Sequence, residues 1–153
     1  MLDDPVLTPS QRDLLALARR AILATIAPGG RPRLVPICFA LDPDRPFLWS
    51  PLDEKPKRAA DLHDLGRVRD LLRDARVTVL VDAWDEDWSH LWWLRCDGLA
   101  ALLEPGDPEA TEHRAAVAAL RARYPQYERQ DLEARPIVRI VLERATNWAP
   151  STR

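Results

Sequence analysis

The chain has 153 residues, of which 46% are hydrophobic, and its formal net charge is −2. A chain of this length buries a sizeable core, so we expect one domain over residues 1–153 that needs no disulfide or metal to fold. The charge argues against a general nucleic-acid binder, which would be strongly basic. The two cysteines, Cys38 and Cys96, have no CxxC spacing, so the sequence predicts reduced thiols and no metal site.

We expect no secretory signal peptide at the N-terminus. Its first residues, MLDDPVL, are acidic, whereas a secretory signal needs basic residues before an apolar run. No uncharged apolar stretch approaches the ~18 residues of a membrane-spanning helix. We therefore expect a cytoplasmic protein without a membrane span.

The first predicted element is a helix that begins at the sequence TPSQ. Thr8 is placed as the N-cap, Pro9 takes the first helical position, and Gln11 completes a capping box. We expect the helix to end near Arg19 and Arg20, because their cations suit the negative end of a helix.

Segments rich in aliphatic and aromatic residues then alternate with turn residues. Gly29-Gly30 suits the positive φ angles of a tight hairpin turn, and Gly98 predicts a bend within a long strand. The predicted strands cover residues 21–28, 31–42, 46–50, 77–84, 90–104 and 136–148. Two further helices are predicted over residues 65–73 and 107–124, the second capped by Asp107.

Six mostly antiparallel strands with three flanking helices make the expected fold class mainly β. At this length such strands close into a small barrel, and we predict a six-stranded antiparallel split β-barrel. An open sandwich is the alternative that the strand pattern leaves open.

One short stretch, SPLDEKPKR at residues 50–58, concentrates positive charge in a predicted loop. It holds Lys55 and Lys57, the only lysines in the chain, followed by Arg58. Lysine is a compact charge with rotatable donors, and side chains two residues apart in an extended segment point the same way. These three cations therefore suit one phosphate group, to which the Ser50 hydroxyl can add a hydrogen bond.

The same stretch is also consistent with an ordinary solvated loop. Asp53 and Glu54 lie beside the lysines and can neutralise them. The stretch holds no glycine and does not match the GxxxxGK[ST] loop that cradles nucleotide phosphates. Any phosphate would be bound by side chains rather than by a glycine-rich backbone.

Two other features point to a flat ligand. Pro32 and Pro36 share one face of a predicted strand, and because proline donates no ladder hydrogen bond, part of that strand is expected at a sheet edge. The peptide groups of Ile37 and Cys38 are then available to another strand or to the polar rim of a flat ligand. Four of the six tryptophans lie within WDEDWSHLWW, a composition typical of interfaces and stacking surfaces, with core packing as the alternative.

Taken together, the segments LATIAPGGRPRLVPICFAL, FLWSPLDEKPKR and RVRDLLRDARVTVLVD resemble the pyridoxamine-5′-phosphate-oxidase-like group of flavin and deazaflavin proteins. The similarity is strongest to the branch of coenzyme F-420-dependent oxidoreductases. It implies the FMN-binding split-barrel fold, a homodimer with two equivalent sites at its interface, and a small-molecule acceptor. The Arg and His residues that bind pyridoxine phosphate in the vitamin-forming oxidases have no counterpart that we can place, so activity on pyridoxamine phosphate is not expected.

The resemblance also implies a set of site residues and no catalytic nucleophile. The implied cofactor-binding residues are Pro36, Ile37 and Cys38 beside the ring system, Trp49, Ser50 and Pro51 flanking it, and Lys55, Lys57 and Arg58 at the phosphate. The ring pocket is expected to be closed by Trp88, Trp92 or Trp148 of a partner subunit. The expected cofactor is coenzyme F-420, and FMN or a non-catalytic flavin-binding carrier are the alternatives. A groove lined by Arg67, Arg69 and Arg73 would favour the long anionic tail of coenzyme F-420.

The sequence leaves the proton donor open between solvent and Tyr127. The three histidines are scattered along the chain. His113 is expected to be solvated on its helix, and His63 is expected in a loop. His90 is the one histidine that lies beside the tryptophan cluster.

Overall fold

Residues 5–52 and 61–151, the part of the chain that a computed structural model describes, form one antiparallel sheet and three α-helices. The helices are α1 (Pro9–Leu17), α2 (Gly66–Arg73) and α3 (Ala110–Arg123). The strands are β1 (Ala21–Ile26), β2 (Pro32–Ile37), β3 (Ala40–Leu41), β4 (Phe47–Pro51), β5 (Arg76–Ala83), β6 (Trp92–Leu103) and β7 (Ile137–Trp148). Short 3₁₀ turns lie at Pro28–Gly30, Leu62–Asp64, Trp88–His90 and Pro125–Arg129.

The strand order requires the sheet to roll up. The order is β2-β1-β5-β6-β7-β4-β3, so the two edge strands, β2 and β3, are consecutive in the chain. They are separated by Cys38 and Phe39 alone, and three Cα–Cα steps span at most about 11 Å. Opposite edges of the sheet therefore meet at these two residues, which we call the seam. This arrangement agrees with the predicted split barrel and not with an open sandwich.

The structure has seven strands rather than the predicted six, because the segment 31–42 breaks at the seam. Phe39 is fully buried, and its N–H donates to the Tyr124 hydroxyl at 3.2 Å. The Ser50 hydroxyl donates to the Cys38 carbonyl at 2.8 Å. Since side chains replace ladder partners here, the backbone crosses from one sheet edge to the other without leaving these buried groups unpaired.

The predicted helix caps, helix ends and glycine turn are confirmed at some positions and shifted at others. Thr8 caps α1 and Gln11 completes the capping box, and both glycines of the Gly29-Gly30 turn have positive φ, 82° and 81°. The helix α1 ends at Leu17, before the predicted arginine pair. Glu109, and not Asp107, is the N-cap of α3.

Two buried clusters hold the sheet in place. The first fills the barrel, and its fully buried members include Leu15, Leu23, Phe39, Leu94 and Ile140. The second lies where α3 packs on β3 and β4, and it includes Trp49, Leu103, Leu120, Tyr124 and Ile137. The outward side chains of β1 and β5 belong to neither cluster, so this part of the outer sheet face has no helix packed on it among the described residues.

The bend in β6 gives a direct test of the packing. The pairing of β6 with β7 shifts register at Gly98, and a Cβ atom there would lie 2.3 Å from the Val141 carbonyl oxygen. We therefore expect Gly98→Ala to lower the free energy of unfolding by about 1–3 kcal/mol, measured by chemical denaturation.

Gly106→Ala is the matched control, because nothing lies within 4 Å of a Cβ at that position. This variant should stay within about 0.5 kcal/mol of the unmodified protein. Equal stability of the two variants would contradict the close approach of β7 to Gly98.

Candidate functional site

The residues expected beside a cofactor ring come together at the seam. Pro36 is exposed on β2, whereas Ile37 and Pro51 are buried. The hydrogen bond from Ser50 to the Cys38 carbonyl ties the end of β2 to β4. This hydrogen bond brings together the two segments, 36–38 and 49–51, that are expected to contact a ring.

Trp49 lies at the seam, but its indole faces away from the barrel. The side chain is buried in the second cluster, and its Nε1–H donates to Glu112 at 3.2 Å. Glu112 also accepts a hydrogen bond from Arg139 at 3.0 Å. Any contact between residue 49 and a bound ring would therefore involve its main chain.

The expected phosphate ligands Lys55, Lys57 and Arg58 lie outside the described residues, so their role stays a prediction. The strand β4 ends at Pro51, and the described chain continues to Leu52, whose carbonyl accepts a hydrogen bond from Arg135 at 3.3 Å. In the sequence, the lysine segment therefore comes directly after the strand that borders the seam.

An open cavity of about 550 Å³ lies on the outer face of β1, β5 and β6. Its walls are mainly aromatic and aliphatic, and four tryptophans line it: Trp84, Trp92, Trp93 and Trp148. Leu34 of β2 lines the same cavity, and Pro36 is the next residue on that face of the strand. The cavity therefore lies along the strand that leads to the seam.

The cavity belongs to a wider exposed apolar surface. Leu34 is 62% exposed, Trp84 is 70% exposed and Trp148 is 46% exposed. Contiguous exposed apolar surface of this kind marks interaction sites on soluble proteins. We call the outward side chains of β2, β1, β5 and β6, together with Trp148, the outer apolar face.

The expected tryptophans divide into two groups in the structure. Trp92 and Trp148 both line the cavity, and the ladder between β6 and β7 places Trp93 opposite Trp148. Trp88 is 69% exposed on a 3₁₀ turn and is not among the lining residues. Trp84 and Trp93 were missed as site residues, although the alternation of Trp93 with buried Leu94 places it on the outward face.

Comparison with protein families decides the identity of the fold. The sequence matches the pyridoxamine 5′-phosphate oxidase family over residues 7–149. The chain belongs to this family. It is therefore a member of a superfamily of flavin-binding oxidoreductases with the split-barrel fold. A search of curated proteins gives no significant match.

Several solved structures share the fold of this family member. A conserved hypothetical protein from Mycobacterium tuberculosis is 26% identical, with a TM-score of 0.69 over 96% of this chain and 88% of its own. An FAD-binding protein from Mesorhizobium loti is 20% identical, with a TM-score of 0.66 over 92% and 94%. HutZ, the heme storage protein from Vibrio cholerae, is 15% identical, with a TM-score of 0.64 over 95% of both chains. The last two similarities establish the fold alone.

The buried titratable residues of this family member do not reach the cavity. Burial raises the pKa of Cys96 to about 12, so its thiol stays protonated near neutral pH and is not a nucleophile. His113 is buried, contrary to the expectation of a solvated residue, and its Nε2 lies 2.7 Å from the Arg135 carbonyl oxygen. Tyr127 is buried in the second cluster and so cannot donate a proton in the cavity.

Metal-binding clusters and membrane-spanning helices are two further features that can be checked in the described residues. Within residues 5–52 and 61–151, no group of three or more His, Cys, Asp or Glu side chains could hold a metal ion. None of the described helices is long and apolar enough to cross a membrane.

Arg73 of α2, one of the arginines expected to line a groove for an anionic tail, is already engaged by neighbouring groups. Arg33 of β2 pairs with the buried carboxylate of Asp70 at 2.6 Å, and Arg73 donates to the Ile26 carbonyl. Burial raises the pKa of Asp70, but hydrogen bonds from Arg33 and Thr25 outweigh it and leave the pKa below its ordinary value. Arg73 thus fixes α2 to β1 and is less suited to bind an anionic tail than was expected.

His63 joins the chain that follows the lysine segment to the end of β6. Its two ring nitrogens lie 2.9 Å from Asp61 and 2.8 Å from Glu104. The hydrogen bond to Glu104, followed by that to Asp61, raises the pKa of His63 above its ordinary value because both favour the protonated ring.

The pairing of His63 predicts a pH dependence. Its contribution to stability is fully present below the unfolded pKa of about 6.5 and is lost as pH rises through the higher folded value. Glu104→Gln should lower the pKa of His63, measured by NMR titration of the ring protons, and should destabilise the protein more at pH 6 than at pH 8.

Glu143→Gln, which removes an exposed carboxylate from β7, is the control and should leave the pKa of His63 unchanged. An equal pKa of His63 in the Glu104 variant and in the unmodified protein would refute the pairing.

Proposed function

We propose that the protein is a homodimeric reductase that uses reduced coenzyme F-420 to transfer a hydride to a small conjugated acceptor. The observation that supports this most is the indole-lined cavity on an uncovered sheet face beside the seam. Its volume of about 550 Å³ lies within the range of roughly 300–1,000 Å³ that is common for small-molecule sites. Its aromatic and aliphatic walls suit a flat ring system.

The same surface supports the proposed homodimer. Leu34, Leu80 and Trp148 are large apolar side chains that are exposed together on the outer apolar face. A second copy packed on this face by a two-fold axis would bury them and would add its own tryptophans to each cavity. Two equivalent sites at the interface are then expected.

The roles of the residues are binding and exclusion of water. The exposed edge of β2, at Pro36 and toward Cys38, would lie along the polar rim of the ring. Lys55, Lys57 and Arg58 would bind the phosphate, and Trp92 and Trp148 would cover the ring and exclude water. The bound deazaflavin supplies the hydride. Solvent would supply any proton, because Tyr127 is buried elsewhere.

FMN is the alternative cofactor. The FAD-binding protein from Mesorhizobium loti with the same fold favours an ordinary flavin, and the commitment of Arg73 to Asp70 and β1 weakens the case for a long anionic tail. A carrier that binds a flavin without turnover is the non-enzymatic alternative. Binding preference and turnover distinguish the three.

The test is a titration with coenzyme F-420 and with FMN, followed by quenching of tryptophan fluorescence. We expect submicromolar binding of coenzyme F-420 and weaker binding of FMN. In the double variant Lys55→Ala with Lys57→Ala, binding of coenzyme F-420 should weaken about 100-fold or more, because two charge-assisted contacts to phosphate are lost.

The control is Arg114→Ala with Arg129→Ala, which removes the same charge from exposed positions on and after α3. Unchanged affinity in a folded lysine variant would overturn the phosphate assignment. Tighter binding of FMN would move the protein to the flavin alternative, and binding without reduction of any acceptor would favour the carrier.

A further inference from the structure

The polar groups of the cavity point to a particular class of acceptor. We propose that the site takes a flat organic cation, such as an N-alkylated aromatic ring. This inference rests on the proposed function, since it names the substrate class of that site.

The first observation is the unpaired carboxylate of Asp82. Asp82 lines the cavity on the outward face of β5, and in the ladder it lies opposite Trp93. Within the described part of the chain its side chain makes no hydrogen bond or ion pair, and it is exposed. An aromatic wall with one available carboxylate beside it suits a positively charged ring rather than a negatively charged one.

The second observation is the negative charge at the rim. The hairpin between β5 and β6 adds the exposed carboxylates of Asp85, Glu86 and Asp87. The Nδ1 atom of His90 lies 3.3 Å from Asp85, so this one nearby histidine is already engaged. These carboxylates directly follow the lining residues Ala83 and Trp84 in the chain, so they add negative charge beside the cavity.

The third observation concerns Arg95, which is the cation among the described lining residues. Its guanidinium lies over the Trp93 ring, 5.7 Å from the centroid, so an indole of this wall already binds a positive group.

The fourth observation is that the described lining of the cavity offers no side chain suited to donate a proton. None of the described residues that line the cavity is a histidine, cysteine, tyrosine or lysine. Hydride addition to a ring carbon of a cationic aromatic ring forms one C–H bond and gives a neutral dihydro product. A bound reduced deazaflavin would supply the hydride and be oxidised in the same step, and one proton would be released to solvent. The acceptor then needs no proton from the protein, and its product loses the charge that Asp82 would attract.

The test measures binding directly by isothermal titration calorimetry, in the absence of cofactor. Three probes of similar size are compared at pH 8: N-methylquinolinium as the cation, quinoline as the neutral ring and 2-naphthalenesulfonate as the anion. We expect the cation to bind at least about tenfold more tightly than quinoline, and the anion to bind most weakly.

Asp82→Asn should remove most of the preference for N-methylquinolinium over quinoline while leaving the affinity for quinoline unchanged. Asp13→Asn, at an exposed position on α1, is the matched control and should keep the full preference. Tighter binding of the sulfonate, or a preference that Asp82→Asn does not reduce, would overturn the inference.

A separate titration of the Asp82→Asn variant with coenzyme F-420 keeps the two proposals apart. We expect cofactor affinity to change less than about threefold, since Asp82→Asn keeps the size of the side chain and leaves the assigned phosphate ligands Lys55, Lys57 and Arg58 unchanged. Normal cofactor binding without any cation preference would reject the acceptor class alone. Cation binding without binding of either cofactor would reject the proposed function.

Discussion

The crossing of the chain at Cys38 and Phe39 is the constraint on which the rest of the structure depends. These two residues connect opposite edges of one sheet, so the strand order is possible only if the sheet rolls up. At the crossing, buried peptide groups lose their hydrogen-bond partners on the neighbouring strand. Each such group left without a partner would lower the free energy of unfolding by roughly 1–3 kcal/mol. The hydroxyls of Tyr124 and Ser50 supply those partners, which ties α3 and β4 to the seam.

The position of the helices follows from this closure and leaves one surface uncovered. The helix α3 packs where Tyr124 reaches the seam, and Trp49 fills the cluster beneath it. The outward side chains of β1 and β5, with Leu34 and Trp148, are left exposed. The chemistry of the candidate site therefore depends on the shape, the indole walls and the charge of this face. Among the described residues, the buried Cys96 and His113 do not line the cavity on this face.

Much of the fold could be predicted from local patterns, but the site could be predicted only in part. The capping box at Thr8 and the paired glycines at 29–30 are local, and both were correct. The break of the segment 31–42 was missed because it depends on Tyr124, which is distant in sequence. Trp84 and Trp93 were missed for a related reason. The alternation of residues along a strand shows which side chains share one face of the sheet, but it does not show which of the two faces is covered by a helix. His113 was misjudged because its partner, the Arg135 carbonyl, becomes adjacent only after folding.

The central claim is that a second copy covers the outer apolar face and completes a flavin-type site. It is tested by sedimentation velocity, with and without coenzyme F-420, on the unmodified protein and on the variants Leu34→Glu and Leu72→Glu. Leu34 and Leu72 are similarly exposed, at 62% and 60%, but of the two only Leu34 lines the cavity. Leu72→Glu is therefore the matched control. The account predicts a dimer for the unmodified protein and for Leu72→Glu. It predicts a monomer with at least about tenfold weaker cofactor binding for Leu34→Glu. An unmodified protein that is monomeric yet binds the cofactor tightly, or a monomeric Leu34→Glu variant with undiminished affinity, would contradict it.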